Sequence, residues 1–204
     1  MAADRIDQRL ARGARTREEI LKAAADLGSA HGLQSLTLGQ LGEQLQMSRS
    51  GIVKHFGSRE QLQLATLDYA AKVFFRVVVE PVQARPPGMS RLNETIDNWL
   101  DYLVSDVFPG GCFFTATASE LDSQPGPLRD TVKAIVEVGL AMLRTDLDQA
   151  VHDGDLAPDA DIDQLLFELH AYLLEVNLAN LLLEDPSARE RGHTAIKRLL
   201  AHAR

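Results

Sequence analysis

The residues best suited to chemistry in this sequence lie close together, in the segment SRSGIVK at positions 48–54. It contains two serines and two cations, Arg49 and Lys54, and no carboxylate. Hydroxyls and cations bind phosphate oxygens, and an arginine can pair with guanine through two parallel hydrogen bonds. Gly51 adds no side chain, so another backbone can approach closely. The segment therefore predicts recognition of a nucleic acid.

Catalytic and metal-binding patterns are absent from the sequence. Cys112 and His170 are residue types that can serve as a nucleophile and a base, but nothing in the sequence supplies an oxyanion site. The six histidines show neither HxxxH nor HExxH spacing, and Cys112 has no companion cysteine. We therefore expect no enzyme, no metal and no cofactor.

Charge is distributed unevenly along the chain. The net charge is −8, yet residues 1–60 carry nine Lys/Arg against seven Asp/Glu, and residues 61–204 carry twelve against twenty-two. The basic part begins with five arginines, Arg5, Arg9, Arg12, Arg15 and Arg17. A locally basic head on an acidic body is typical of a site-specific DNA-binding protein, although basic termini are also often simply solvated.

Composition indicates an ordinary globular protein of the cytoplasm. Hydrophobic residues make up 45% of the chain, and the single cysteine excludes an intrachain disulfide. The amino terminus lacks the apolar stretch of a secretory signal. The most apolar segment, residues 165–183, is interrupted by Glu168, His170 and Glu175, so no membrane contact is expected.

Apolar residues recur at intervals of three and four, and Pro and Gly cluster between such segments, which predicts an all-α fold of about nine helices. A three-helix DNA-binding domain with a helix-turn-helix, preceded by an arm, is expected at residues 1–58, and a helical ligand-binding and dimerisation domain at 59–204. The predicted helices span residues 16–30, 37–45, 48–56, 59–79, 91–107, 113–121, 126–153, 161–184 and 188–203.

The second and third helices are short and are joined by Gln46 and Met47. Helices of this length need packing to be stable. Their start residues Thr37 and Ser48 are good N-caps, as is Ser58 for the fourth helix. Their apolar residues should pack against the first helix: Leu38, Leu41, Leu45, Ile52 and Phe56. This arrangement predicts a helix-turn-helix whose second helix enters the major groove.

Residues 16–67 resemble the DNA-binding domain of the TetR/AcrR family of repressors. The resemblance rests on the TRxxIL start, the Ala-rich first helix, His31-Gly32, Thr37, Ser48, Lys54-His55-Phe56 and the SREQL start of the fourth helix. Two departures stand out. Val53 occupies a position where the family often has an aromatic residue, and Gly28 lies where a large apolar residue is common.

The resemblance implies a transcriptional repressor that binds palindromic double-stranded operator DNA as a homodimer and is released by an unidentified small-molecule effector. Alternatives are control by oxidation of Cys112 or by a protein partner. The residues expected at DNA are Arg17, Thr37, Leu38, Ser48, Arg49, Ser50, Gly51, Val53, Lys54, His55 and Arg59.

The resemblance also places a ligand site among the middle helices and a dimer interface on the last two. The expected ligand-binding residues are Trp99, Tyr102, Leu103, Phe108, Cys112, Phe113, Thr117, Glu120, Leu140, Leu143, His170 and Asn177. The expected interface residues are Leu165, Leu169, Leu173, Val176, Leu181, Ile196, Leu199 and Leu200. Residues 161–184 are apolar on most of their circumference, which itself indicates a second covering partner.

Overall fold

The computed structural model describes the backbone of residues 2–203, and the side chains of residue 8 and of residues 10–203. The side chains of Arg5 and Arg9 lie outside the described residues. Within the described part the structure is all-α, with nine α-helices and no strand. The helices are α1 (Ala2–His31), α2 (Leu38–Leu45), α3 (Arg49–Phe56), α4 (Arg59–Phe74), α5 (Met89–Leu103), α6 (Phe113–Leu121), α7 (Pro127–His152), α8 (Ile162–Leu181) and α9 (Ala188–His202).

Three predicted helices differ from the structure, and one of them is the fifth, predicted over residues 91–107, which spans Met89–Leu103. Helix α1 begins at Ala2 rather than near Thr16, because the added residues are mostly good helix formers and include no proline. The predicted fourth helix ends as an α-helix at Phe74 and continues as a π-helical turn, Phe75–Val79. Three consecutive β-branched valines in this turn crowd a regular helix.

The predicted caps hold the amino-terminal helices in place. Thr37 accepts a hydrogen bond from the backbone N–H of Gln40, whose side chain in turn accepts from the Thr37 N–H, a complete capping box. Ser48 and Ser58 each accept a bond from the backbone N–H three residues on. At the link between α2 and α3, Gln46 takes a left-handed conformation with φ 53°. The helix-turn-helix is therefore built as its sequence predicts.

Helix α4 packs against both parts of the chain. On one side it contacts α1, and the buried Gln63 side chain donates to the Leu33 carbonyl at 2.8 Å. On the other side it contacts α7. A domain division at residue 58 therefore stays a prediction, since α4 contributes to both packing units.

The carboxy-terminal part contains one buried ion pair. The Asp146 carboxylate is fully buried and accepts from the Arg91 guanidinium at 2.8 Å and from the Gly88 N–H at 3.0 Å. This pair ties the start of α5 to the carboxyl-terminal third of α7. Both helices line the cavity described below.

Candidate DNA-binding surface, ligand cavity and dimer face

Helix α3 presents a continuous polar surface to solvent. Ser48, Arg49, Ser50 and Lys54 are all exposed. The Ser48 hydroxyl lies 3.1 Å from both the Gly51 N–H nitrogen and the Ser50 hydroxyl, so the first turn is held by its own side chains. This is the end of the helix that reads base edges when a recognition helix enters the major groove.

Arg49 lies back against the preceding helix. A Cβ added to Gly39 would stand 3.0 Å from its guanidinium Nη2. No carboxylate pairs with Arg49 or Lys54 among the described residues. Both cations are therefore available to a polyanion.

Arg17 and Arg59 have structural partners within the chain. Arg17 donates to the His55 carbonyl at 2.7 Å, and its guanidinium carbon lies 4.2 Å from the centre of the Phe56 ring. Arg59 donates to the Gln34 carbonyl. These bonds fix the carboxyl end of α3 and the start of α4, so DNA contact by either arginine stays a prediction.

The remaining predicted DNA residues are partly withdrawn from solvent. Val53 and His55 are half-buried, and Leu38 is half-buried against the core. Thr37 is exposed, but its hydroxyl already accepts from the Gln40 N–H and donates to the Gln40 side chain. The exposed cations and serines of α3 are thus better placed to contact DNA than these residues.

A cavity of about 1210 Å³ lies among the helices of the carboxy-terminal part. Its walls come from α4 with its π-helical turn, α5, α6, α7 and α8. The principal lining residues are Lys72, Phe74, Phe75, Arg76, Val79, Glu80, Trp99, Leu103, Cys112, Phe114, Thr115, Ala118, Ser119, Asp122, Asp130, Thr131, Ile135, Val138, Leu140, Met142, His170, Leu173 and Leu174. Pockets of 300–1,000 Å³ commonly hold drug-sized ligands, so this one is large enough.

Five of the twelve predicted ligand residues line this cavity: Trp99, Leu103, Cys112, Leu140 and His170. The other seven lie outside its lining, and their contact with a ligand stays a prediction: Tyr102, Phe108, Phe113, Thr117, Glu120, Leu143 and Asn177. Most of them lie on the inner faces of the same helices, one layer behind the wall, because each helix must also bury a face against its neighbours.

Several of these seven have packing or bonding partners elsewhere. Thr117 donates to the Phe113 carbonyl, and Asn177 accepts from the Cys112 N–H at 2.9 Å. Phe113 packs against Gly28, filling the space that a larger residue at position 28 would need. Tyr102 is 2% exposed, and burial raises the pKa of its phenol.

Sequence reasoning missed the contribution of α4 and most of α7 to the cavity. Phe74, Phe75 and Val79 belong to the apolar run VFFRVVV, which the sequence analysis treated only as the end of a long helix. The available signal was that six of the seven residues in this run are apolar, with Arg76 as the exception, and one core cannot cover every face of a helix.

The exposed apolar stripe of α8 shares only Leu181 with the predicted dimer interface. Leu165, Leu169, Leu173, Val176, Ile196 and Leu200 are buried within the chain itself, so their part in an interface stays a prediction. Leu199 is half-buried, and Leu181 is 41% exposed. The exposed side chains that sequence reasoning left out are Phe167, Leu174, Leu178, Leu182 and Leu183, of which Leu182 is 73% exposed.

A polar joint connects α6 to the end of α1. The Glu120 carboxylate accepts from the Leu33 and Gln34 N–H groups, each at 2.8 Å. Beside it, the Gly110 N–H donates to the Ser29 hydroxyl at 3.1 Å, and a Cβ on Gly110 would overlap the Ser29 carbonyl. Ala118, Ser119 and Asp122 on α6 line the cavity. Helix α6 therefore connects the cavity to the segment that leads into the helix-turn-helix.

Comparison with protein families decides what kind of protein carries these features. Residues 20–66 match the model for bacterial regulatory proteins of the tetR family, and residues 88–196 match the tetracyclin repressor-like carboxy-terminal domain. The second match alone spans more than half of the chain. The chain belongs to the TetR family. It is thus a transcriptional regulator with an amino-terminal DNA-binding domain, and not an enzyme.

Solved structures of other TetR regulators share the fold along nearly the whole chain. A regulator from Chloroflexus aurantiacus J-10-FL is 26% identical with a TM-score of 0.80, covering 94% of this chain and 95% of that one. A regulator from Cytophaga hutchinsonii is 21% identical with a TM-score of 0.80, covering 94% and 96%. AibR, solved in complex with isovaleryl coenzyme A and operator DNA, is 18% identical with a TM-score of 0.71, covering 88% and 95%. No curated protein gives a significant match.

The described residues include neither a helix suited to crossing a membrane nor a cluster of metal ligands. None of the described helices combines the length and apolarity needed to cross a membrane. No group of three or more His, Cys, Asp or Glu side chains is arranged to hold a metal ion in the described part of the chain.

Proposed function

We propose that this TetR-family regulator is a repressor that binds palindromic operator DNA as a homodimer and releases it when a small molecule fills the cavity. The observation that carries the proposal is the joint at Glu120, through which one wall of the cavity bonds directly to the end of α1. Family members bind operator DNA, dimerise and bind small molecules. AibR is solved with both a small ligand and operator DNA, which supports two separate sites on this fold.

DNA binding is assigned to α3, with Arg49 reading bases and Lys54 contacting phosphates. Both are exposed and free of carboxylate partners among the described residues. Ser48 and Ser50 add hydroxyls at the first turn of the helix. Arg17 contributes indirectly, by holding the carboxyl end of α3 through the His55 carbonyl.

Dimerisation is assigned to the exposed stripe formed by Phe167, Leu174, Leu178 and Leu181 on α8 and by Leu182 directly after it. Five large apolar side chains on one face of this segment form a patch that water solvates poorly, and a second copy of the same stripe would cover it. A two-fold pairing would present two α3 helices to the two halves of a palindrome.

Release is assigned to α6 together with α4. A ligand changes operator affinity only if it binds the DNA-competent and incompetent conformations with different affinities. A ligand that displaces Ser119 or Ala118 moves α6, whose Glu120 carboxylate binds the Leu33 and Gln34 N–H groups. A ligand that displaces Phe74 moves α4, which packs against α1. Both shifts would alter the separation of the two recognition helices.

The decisive experiment selects bound sequences from a pool of randomised DNA duplexes. We expect the selected duplexes to contain an inverted repeat and to bind with a stoichiometry of two subunits per site. The Arg49→Ala, Lys54→Ala double variant should select nothing, whereas Lys133→Ala, which removes an exposed cation from α7, should select the same repeat. Selection of unrelated sequences, or full binding by the double variant, would contradict the assignment.

A further inference from the structure

The cavity is graded from a charged rim to an uncharged interior. Its charged side chains are Lys72, Arg76, Glu80, Asp122 and Asp130, and every one of them is exposed. Lys72 also pairs with Asp68 on its own helix. Water therefore already solvates the charges, and they lie where the cavity opens.

The inner wall offers apolar surface and one imidazole. Leu103, Cys112, Phe114 and Leu173 are buried, and no carboxylate, ammonium or guanidinium lies among them. The half-buried His170 faces the same space, and burial lowers the pKa of its imidazole, so it is neutral at pH 7. A neutral imidazole offers one donor and one acceptor but no counter-ion.

Aromatic rings form much of the deeper surface. The Phe74 ring meets Trp99 edge-to-face with centroids 4.9 Å apart, and Phe114 in the same manner at 6.5 Å. Such walls favour flat apolar molecules. They also attract cations, but a cation placed there would lose its hydration while the nearest carboxylates stay at the solvent-exposed rim.

We propose that the cavity selects an uncharged ligand with a flat, aromatic body that hydrogen bonds to His170. The inference rests on the proposed function, since it names the ligand class of the effector site. An anion such as an acyl thioester of coenzyme A would leave its phosphates without buried partners. A cationic drug would lack a buried carboxylate.

The single tryptophan makes this proposal measurable, because Trp99 lines the cavity. The probes are three molecules with one skeleton: N-phenyl-1-naphthylamine, its 8-sulfonate and an analogue bearing a trimethylammonium group. Titration of the full chain, followed by quenching of Trp99 emission, should give a dissociation constant at least tenfold lower for the neutral probe than for either ion. The difference expresses the cost of burying an unpaired charge.

Variants at His170 test the role of the inner wall. His170→Asp places a carboxylate there and should make the ammonium probe the tightest of the three, whereas Ser119→Asp at the exposed edge should keep the neutral preference. His170→Leu should fold, keep the neutral preference and bind the amine donor of the neutral probe severalfold more weakly. Melting curves and helicity establish that each variant is folded.

The outcomes separate the ligand class from the function on which it rests. Equal or tighter binding of either ion to the unaltered chain overturns the neutral-ligand proposal and leaves an effector site in place. If none of the probes quenches Trp99, the effector site of the proposed function fails together with the ligand class. Selection of an operator repeat by the same preparation remains an independent test of DNA binding.

Discussion

The DNA-binding surface and the ligand cavity of this regulator are built in contrasting ways. The surface comes from one eight-residue helix whose working side chains are neighbours in the sequence and point into solvent. The cavity takes its walls from five helices between residues 71 and 174, and its inner side chains are apolar. DNA binding by a surface made from one segment depends on the charges of its side chains, whereas the shape of a cavity made from many segments depends on how they pack. Mutations should therefore act on the two regions in different ways.

The largest expected effect comes from charging the stripe that we assign to the dimer. Leu178→Glu with Leu182→Glu places two carboxylates on exposed apolar positions and should yield monomers, lowering operator affinity by about 100-fold or more because one half-site is lost. Light scattering and gel shift measure the two consequences. Val138→Glu charges an apolar residue that is 71% exposed at the edge of the cavity on α7; it is the control and should stay dimeric. Dimers in the double variant would place the interface elsewhere.

A smaller effect is expected at the recognition helix. Arg49→Ala should weaken operator binding by about 1–3 kcal/mol and relax base preference at one position. Lys54→Ala should weaken binding to all duplexes and reduce the salt slope by about one. Neither change should alter quenching of Trp99 by the neutral probe. Gel shifts at two salt concentrations measure both, and an unchanged salt slope in Lys54→Ala would argue against a phosphate contact.

Mutation of the joint between the two regions should lower the stability of the chain and weaken the effect of the ligand on DNA binding. Glu120→Ala removes the acceptor of two backbone N–H groups and should lower the free energy of unfolding by about 1–3 kcal/mol. It should also reduce the change in operator affinity caused by the neutral probe. Gln124→Ala removes the exposed side-chain bonds to Gln34 and to the Glu120 carbonyl, leaves the Glu120 carboxylate in place and serves as control. If the neutral probe still changes operator affinity in full in a folded Glu120→Ala protein, α4 alone connects the cavity to the DNA-binding helices.

The smallest effect is a pH dependence of stability from His170. Burial lowers the pKa of this imidazole in the folded chain below its ordinary value of about 6.5, so the unfolded chain binds the proton more readily. The stabilisation is complete above pH 6.5 and is lost as the pH falls from there through the folded pKa. Since the ring is only half-buried, we expect a small effect. Melting temperatures of His170→Gln should fall less between pH 7 and 5 than those of the unaltered chain.

The contrast also explains how much the sequence could predict. The helix-turn-helix depends on local signals, such as the Thr37 and Ser48 caps and the spacing of Leu41 and Ile52, and these are visible in a short segment. The all-α class follows from periodicity in the same way. The first helix was predicted too short because its added residues include only two large apolar side chains, Ile6 and Leu10, and apolar periodicity was the signal used.

The cavity and the stripe on α8 depend on which face of each helix is turned inward. Residues 161–184 are apolar almost all round, so periodicity could not tell Leu173, which is buried, from its neighbour Leu174, which is 40% exposed. Tyr102 and Trp99 are similarly close in sequence but lie on different sides of the cavity wall. Only the packing of several distant helices decides such cases.

The contact of Gly110 with Ser29 limits how such a regulator can diversify. A side chain at position 110 would overlap the Ser29 carbonyl, so any replacement separates α1 from the loop that leads into α6. The walls of the cavity have no such restriction, because exposed or half-buried positions such as Thr115 and Leu140 accept other side chains. Descendants of this chain can therefore acquire new ligands by exchanging wall residues, provided that the glycine at the joint is inherited unchanged.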